Sequence, residues 1–455
     1  MFIEGSQGVG VLSTLALRDF KEQRLKDEFN RSSISVGLDG WTFLDSSKTW
    51  VLAGWTGLSN VSGNSQQILD IQENSRHYFQ KPDANHVSID SSAESLTGFA
   101  GRVVLNKEKG NFFVNSAFGF ITPSFEVNDL GFLFRTDVIN MHVGAGYSWT
   151  IPTDYYRSLT LMLAAFQNYD FGGNLIGSGL FHFGELEFPN YYFLEWHLGV
   201  NPEVMNNTRT RGGPITLNPS NIFGSIFLRT DNREDWILRL NTNTFQNRFS
   251  KFWNFGLGIE VRLASNISIS FNPDFDNNLD FSQYIDTYED PLATETFGKR
   301  YVFGELKQKT YSGSIRLNWT FSPNLSLELY VQPLISSGKY VKYKELRAAG
   351  TYDWINYGEE GSTYDDENYI ADPDGDGPAP EIDIGNNDFN IVSLRGNAVL
   401  RWEYLPGSVI FFVWTQSRSD VEENSDIDFG TSFNNLVDLT PDNIFMVKFT
   451  YWFNI

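Results

Sequence analysis

The last thirteen residues, NIFMVKFTYWFNI, alternate between apolar and polar side chains. The apolar positions share one face, and Lys448, Thr450 and Asn454 lie between them. The apolar set is Phe445, Val447, Phe449, Tyr451, Phe453 and Ile455. A period of two predicts a β-strand with one apolar face. Chain ends are usually solvated. The many aromatic residues in this one therefore predict that the strand lies against an apolar environment.

The same alternation recurs in pairs of segments that are separated by tight turns. In residues 253–272, for example, the segment from Trp253 to Leu263 has apolar odd positions, and a turn at Ala264–Asn266 precedes a second alternating segment. Residues 314–332 and 394–404 repeat the pattern. The pattern predicts antiparallel hairpins with one apolar and one polar face. Charged residues recur on the polar face, namely Glu260, Arg262, Arg316, Glu328, Arg395, Arg401 and Glu403.

Connections between the predicted strands alternate between short and long. Short ones include 264–266, 322–324 and 405–407, whereas 273–307 and 338–389 are long and polar. This layout is typical of transmembrane barrels, whose short turns face the periplasm. We therefore predict an all-β, antiparallel, up-and-down outer-membrane β-barrel of about 16–18 strands, each about 9–14 residues long. The C-terminus is expected on the periplasmic side.

The predicted organisation has two parts. Residues 1–31 form an N-terminal segment with a candidate first strand, and residues 32–455 form the barrel, with a long acidic extracellular loop over 339–391. The strands of a soluble β-sandwich or propeller would also alternate between apolar and polar residues. Neither fold explains the asymmetry of the connections, and no repeat of propeller length is evident. A sheet in lipid has to close, because unpaired backbone groups are costly there.

Composition agrees with this class. The chain has 39 Phe, 20 Tyr and 12 Trp, a load typical of β-proteins, and no Cys. The net charge of −22 argues against a nucleic-acid partner, since phosphate binding requires Lys and Arg. The start, MFIEGSQGVGVL, has no basic region and is not a signal peptide. We expect the chain to be truncated upstream of Met1.

Two blocks resemble a known family: the stretch VFGELKQKTYSGSIRLNWTFSPNLSLELYVQPLISSGKYVKYKEL from Val302 and FNIVSLRGNAVLRWEYLPGSVIFFVWTQ from Phe389. They are similar to Bacteroidota-type outer-membrane proteins of unknown function, whose barrel usually follows a domain similar to family-nine carbohydrate-binding modules. The resemblance runs from about Arg24 to Ile455. It implies an outer-membrane barrel, while the carbohydrate-binding-like domain is absent from this sequence, so no sugar-binding or catalytic residue carries over.

The stretch DPDGDGPAPEID matches part of a calcium loop. Asp372, Asp374, Asp376 and Asp383 occupy positions 1, 3, 5 and 12, and Gly377 occupies position 6. Calcium is thus a candidate ligand and no other cofactor is predicted. The alternative is a solvated acidic loop, since the flanking helices of an EF-hand are not apparent.

The wider acidic stretch from Tyr352 to Asp388 interleaves carboxylates with aromatic residues. Trp354, Tyr357, Tyr364 and Tyr369 could grip sugars or a partner protein, and a mobile, charge-repelling loop is the alternative. No catalytic residues are predicted: His86 and Ser88 form the only His-x-Ser pair and lie in a predicted loop. We expect this chain not to be an enzyme.

The charged inward residues allow two interpretations, a water-filled path or ion-pair ladders between neighbouring strands. Three hypotheses for function follow: a transport or channel component for glycan or nutrient uptake, a scaffolding subunit of an outer-membrane complex, and a glycan-binding or glycan-degrading protein acting through the missing upstream domain. Expected partners are outer-membrane lipid, complex subunits or glycans, and the barrel-assembly machinery. That machinery is expected to read Phe445, Phe449, Tyr451, Phe453 and Ile455.

Overall fold

A computed structural model describes residues 2–3, 5–425 and 429–453. Eighteen long strands, β1–β18, dominate the described chain. They are β1 Gln7–Leu17, β2 Ser32–Phe43, β3 Trp50–Ser62, β4 Ser95–Lys107, β5 Phe112–Ile121, β6 Val138–Trp149, β7 Ser158–Tyr169, β8 Leu175–Glu187, β9 Phe193–Asn201, β10 Asn221–Arg229, β11 Trp236–Asn247, β12 Lys251–Ala264, β13 Ile267–Glu289, β14 Lys299–Ser322, β15 Leu325–Leu346, β16 Phe389–Leu405, β17 Ser408–Glu422 and β18 Asp442–Thr450.

Each long strand pairs antiparallel with the next along the chain, which makes one up-and-down sheet. Smaller elements lie in the connections. They are the helices α1 Gln23–Glu28, α2 Ser65–Glu73 and α3 Phe429–Asp438, the 3-10 turn Thr294–Thr296, and the short strands Phe2–Ile3, Val204–Asn206, Thr216–Asn218, Trp354–Asn356, Thr363–Asp365, Ile370–Asp372 and Ile382–Asp383. None of the helices in these described ranges has the length and apolar character to cross a membrane.

Hydrogen bonds between distant connections show that the sheet curls. The backbone N–H of Ile215, between β9 and β10, donates to Asp83 Oδ2, between β3 and β4, at 2.7 Å. In a flat sheet, six strand-to-strand spacings, or roughly 29 Å, would separate those two positions. The strands therefore wrap around a common interior. The predicted fold class, an all-β outer-membrane-type antiparallel barrel with about 16–18 strands, is confirmed.

The connections alternate strictly between the two ends. One end carries the connections 44–49, 108–111, 150–157, 188–192, 230–235, 265–266, 323–324 and 406–407. The other end, called the long-loop end, carries 18–31, 63–94, 122–137, 170–174, 202–220, 248–250, 290–298, 347–388 and 423–441. The predicted alternation of short and long connections thus follows the chain, although three connections at the long-loop end are brief.

Two predicted boundaries were wrong. Strands β13, β14 and β15 contain 23, 24 and 22 residues, well beyond the expected 9–14. They take up most of the predicted loop 273–307, and the predicted loop 339–391 shrinks to 347–388. The extra length projects past β12, whose pairing with β13 begins at Lys251 opposite Leu279. These extensions mix charged residues with buried aromatic and aliphatic ones such as Phe303 and Tyr343, without a regular apolar alternation, so the sequence pattern was interpreted as a loop.

The outward face of the sheet is an apolar band. Register aligns Trp319, Leu327, Leu400, Phe412 and Val447 in one cross-strand row on this face. Large exposed apolar side chains recur around the sheet, among them Leu38, Phe99, Val103, Phe118, Val143, Leu163, Leu180, Leu198, Ile226, Leu238, Phe255, Phe271 and Ile315. A continuous apolar exterior is stable only against lipid, and therefore the band places the barrel in a membrane.

The strands β1 and β18 form the two ends of the sheet. On the side away from β2, Gln7 and Gly8 of β1 pair with Ile3 and Phe2. Strand β18 pairs with β17, and within the described residues no ladder joins β18 to β1. All nine residues of β18 are exposed. The seam between β1 and β18 thus differs from every other strand junction of the sheet.

Candidate functional site

The seven charged residues that were predicted to face the lumen occupy strand positions that alternate with the exposed apolar ones, on the face called inward. Their register is consistent: Glu260 pairs with Ser270, Ser270 with Arg316, and Arg316 with Tyr330. Glu328 lies on the same face of β15, and Arg262 on that of β12. On β16, Arg395, Arg401 and Glu403 occupy the equivalent alternate positions. That these residues line a water-filled path remains a prediction.

Ion pairs join some of these residues. Arg239 donates to Glu260 at 2.7 Å, and Arg262 lies 3.6 Å from the same carboxylate. Arg401 donates to Glu403 at 2.8 Å. Arg316 stacks over the Tyr330 ring, with 4.6 Å between its guanidinium carbon and the ring centroid. Sequence reasoning missed Arg239, although its alternate position in β11 could have identified it.

Six connections at the long-loop end are joined into one layer, which we call the loop cap. It comprises 63–94, 122–137, 170–174, 202–220, 290–298 and 347–388. The hydrogen bond between Ile215 and Asp83 is one link, and Gly350 donates to the carbonyl of Ile215 at 2.7 Å. Ala349 donates to Glu295 at 3.0 Å, and Arg135 donates to Asn207 at 2.6 Å. The loop cap therefore spans the mouth of the barrel.

A buried charged cluster holds two loops of the cap together. His77 is 2% exposed and lies between two acceptors: its Nδ1 is 2.7 Å from the carbonyl of Pro123 and its Nε2 is 3.1 Å from Glu126. Each ring nitrogen thus faces an oxygen of the loop 122–137. Burial opposes ionisation of Glu126, but hydrogen bonds from His77 and from the Asn128 backbone outweigh it and lower the pKa of Glu126 to about 2.

A second buried cluster lies nearby. Asp137 is 3% exposed and accepts from Lys81 at 3.0 Å, from His86 Nε2 at 2.9 Å and from the backbone of Phe171 at 3.0 Å. Burial would raise the pKa of Asp137, yet the charge of Lys81 and these hydrogen bonds lower it. His86 is thus engaged by a carboxylate. Ser88 is exposed, and no hydrogen bond joins it to His86 in the described part of the chain.

The acidic stretch 347–388 is folded. Tyr357 is buried, and its hydroxyl donates to Glu345 at 3.0 Å. Trp354 packs edge-on against Phe303, with 4.8 Å between ring centroids. Tyr364 and Tyr369 pack against the apolar cluster around Tyr357. These aromatic side chains thus contribute to packing inside the cap, and their binding of a sugar or a partner protein stays a prediction.

The candidate calcium residues lie in the small sheet of this stretch. Asp372 Oδ1 accepts from the backbone of Gly375 at 2.9 Å, and Asp374 Oδ2 accepts from Ala379 at 3.1 Å. Asp376 is exposed, and Asp383 belongs to the short strand that pairs with Ile370. Among the residues that the structure describes, no three carboxylate or imidazole groups are placed to hold a metal ion. Calcium binding stays a prediction.

Lys344 is a buried cation that sequence reasoning did not find. It is fully buried in the extension of β15, and its ammonium lies 3.1 Å from the centroid of the Phe281 ring. Its Nζ has no hydrogen-bond partner among the described residues. Burial lowers the pKa of Lys344 to about 8, although Glu305 and Asp280 favour the charged form. No periodicity signals such a lysine, because its neighbours come from other strands.

The free energy of unfolding is expected to rise with pH because of Lys344. Its folded pKa of about 8 lies below the unfolded value of roughly 10.4, so the unfolded chain binds more protons between these values. Raising the pH from 7 to 9.5 should add about 2 kcal/mol to the free energy of unfolding. Urea unfolding in lipid vesicles should show this gain. Lys344→Met should lack it, and Lys339→Met, at an exposed position of the same strand, should keep it. Equal pH slopes in all three proteins would contradict the assignment.

The terminal aromatic residues are outward-facing or exposed. Phe445 is 76%, Phe449 61%, Tyr451 56% and Phe453 66% exposed. Phe445 and Phe449 pair with Trp414 and Ile410 of β17 in the outward register. Ile455 lies outside the described residues. Recognition of this terminus by assembly machinery remains a prediction.

A family described as a domain of unknown function, DUF5916, matches residues 53–455. The chain belongs to this family. The predicted membership of an uncharacterised family is thereby confirmed. No curated protein matches the DUF5916 chain.

Solved structures with a similar arrangement include a siderophore receptor, a ferric enterobactin receptor and an iron transporter. The siderophore receptor PirA from Acinetobacter baumannii is 9% identical over 97% of this chain and 73% of that chain, with a TM-score of 0.44. The FrpB iron transporter from Neisseria meningitidis is 6% identical over 91% and 73%, with a TM-score of 0.43. The ferric enterobactin receptor PfeA from Pseudomonas aeruginosa is 10% identical over 90% and 68%, with a TM-score of 0.41. Likeness at this level says nothing about the ligand of the DUF5916 chain.

Proposed function

We propose that this protein is a transport barrel of the outer membrane whose passage is closed at the long-loop end by the loop cap. The observation that carries the proposal is the continuous hydrogen bonding of the cap, in which Ile215 bonds to both Asp83 and Gly350. A polar, charged inward face beneath a closed mouth suits a gated path better than a permanently open pore. The short turns and the C-terminus would then face the periplasm.

The cap is suited to gating because polar contacts join it to the extension of β13. Arg209 donates to Ser282 at 2.5 Å, and Ser282 lies 3.0 Å from the Tyr352 hydroxyl. Arg211 lies over the Tyr284 ring at 4.6 Å. Hydrogen bonds of this kind exchange with water at small net cost, unlike an apolar core. A cargo that competes for them could therefore open the cap without unfolding the barrel.

We further propose that this chain works without catalytic chemistry. Both ring nitrogens of His77 face acceptors, Glu126 and the carbonyl of Pro123, and no hydrogen bond joins His86 to Ser88 in the described part of the chain. A general base needs a free nitrogen within hydrogen-bond reach of a nucleophile.

Single-channel conductance in a planar bilayer tests the transport proposal. Gly338 pairs with Phe389, so a tight turn can replace residues 339–388 and join β15 to β16 directly. The intact protein should show no steady current, and the shortened variant should conduct, because the largest part of the cap is gone. Tyr155→Ser, in an exposed turn at the opposite end, is the control and should stay closed.

Two outcomes would contradict this proposal. Equal steady current in the intact and shortened proteins would mean that the cap does not close the barrel. If neither the intact nor the shortened protein conducted, although circular dichroism verified the β-sheet content of both, the barrel would have no path. This result would favour the scaffolding hypothesis.

A further inference from the structure

A groove opens on the outward face of strands β6–β11 near the long-loop end. Its volume is about 1130 Å³, slightly above the range of ordinary small-molecule sites. A second cavity of about 480 Å³ shares part of the wall and continues the groove towards Leu163 and Leu198. We call the two together the outer groove. Its apolar wall consists of Val143, Ala165, Leu180, Val200 and Ile222.

Register places the outer groove on the membrane side. Val200 pairs with Leu180 on one side and with Ile222 on the other, and all three are about half exposed. The next residue along β9, Asn201, points inward and donates to Asn221 at 2.8 Å. The apolar wall thus belongs to the band that contacts lipid. A cavity in that band is filled by hydrocarbon, because contact between its apolar wall and water is unfavourable.

The end of the groove towards the long loops is polar and positively charged. Gln167 and Gln246 lie on its outward wall, and Arg248 closes it. Arg248 lies in the brief connection 248–250, so this connection adds little cover above it. Its side chain is exposed and forms no ion pair in the part of the chain that the structure describes. A cation next to an apolar groove complements an amphiphile with an anionic head.

We propose that the outer groove is a binding site for an anionic lipid whose head group carries a phosphate. The acyl chains lie along Leu180, Val200 and Ile222, and the phosphate contacts Arg248, with Gln246 as a hydrogen-bond donor. The site is separate from the inward face and from the cap, and its test does not depend on whether the barrel transports anything.

Retention of phosphatidylglycerol, measured by native mass spectrometry of the full chain released from detergent, tests the apolar half of the site. The intact protein should keep one phosphatidylglycerol molecule. Ile222→Trp should lose it, because the indole fills the groove. Ile226→Trp is the matched control, since Ile226 lies on the same face of β10 and outside the groove. Equal retention by the two tryptophan variants would overturn the proposal, as would no retention by the intact protein.

Competition between lipids tests the charged half. The intact protein should prefer phosphatidylglycerol to phosphatidylcholine, and Arg248→Ala should lower that preference by about fivefold, the ratio typical of one arginine near an anionic membrane surface. Arg248→Lys should restore most of it. An unchanged preference in Arg248→Ala would show that the groove takes any acyl chain and that the anionic specificity is wrong.

Discussion

Replacing Glu126 with alanine is expected to destabilise the loop cap by about 3–5 kcal/mol, the usual cost of removing one partner from a buried ion pair. His77 and Glu126 are both 2% exposed, so the imidazole would stay buried with Nε2 unpaired. Hydrogen exchange of the amides in 63–94 and 122–137 measures the effect, because the cap can open while the strands stay folded.

The control for this change is Glu28→Ala. Glu28 pairs with Arg24 on the exposed surface of α1, and loss of such a pair should leave exchange nearly unchanged. Acid gives an independent check. The pKa of Glu126 is lowered to about 2 in the folded protein, so its stabilisation is complete above the unfolded value of roughly 4.3 and is lost as the pH falls towards 2. If Glu126→Ala exchanged like the intact protein at pH 7, the cluster would not hold the cap.

Ile226→Arg is expected to lower the free energy of unfolding by about 2–4 kcal/mol, the cost of an arginine near the bilayer midplane on the lipid side of a barrel. Ile226 lies in the middle of β10 and is 45% exposed on the outward face. Equilibrium urea unfolding in vesicles of defined lipid measures the change.

The neighbouring residue supplies the control. Ser225 pairs with His197 and Asn243 on the inward face, where an arginine meets polar groups and water. Ser225→Arg should therefore cost much less than Ile226→Arg. If the order were reversed, the assignment of the inward and outward faces would be wrong throughout the sheet, since one register connects all the strands.

The faces of the strands were predictable because their signal is local. In β12 the outward Phe255 and the inward Glu260 follow from alternation alone, and the structure keeps both. Alternation also indicated which connections share an end. Alternation did not identify the extensions of β13–β15 as strands, because both of their faces meet water or the cap and no apolar period survives there.

The cap could not be predicted in the same way. Asp83 and Ile215 are 132 residues apart, and no spacing in the sequence links them. The stretch around Tyr357 has the composition of a solvated loop, and it folds only because Val302 and Tyr343 of the extended strands supply an apolar surface for it. Lys344 was missed for the same reason: the Phe281 ring that contacts it belongs to another strand.

The seam between β1 and β18 has a consequence for handling this chain in the laboratory. The two edges run antiparallel to each other, so β18 of one copy can pair with β1 of another copy that stands in the same orientation. Because this contact joins different surfaces, copies added in this way form a row that does not close on itself. Crowded samples of the chain are thus expected to form side-by-side arrays whose length increases with the protein-to-lipid ratio.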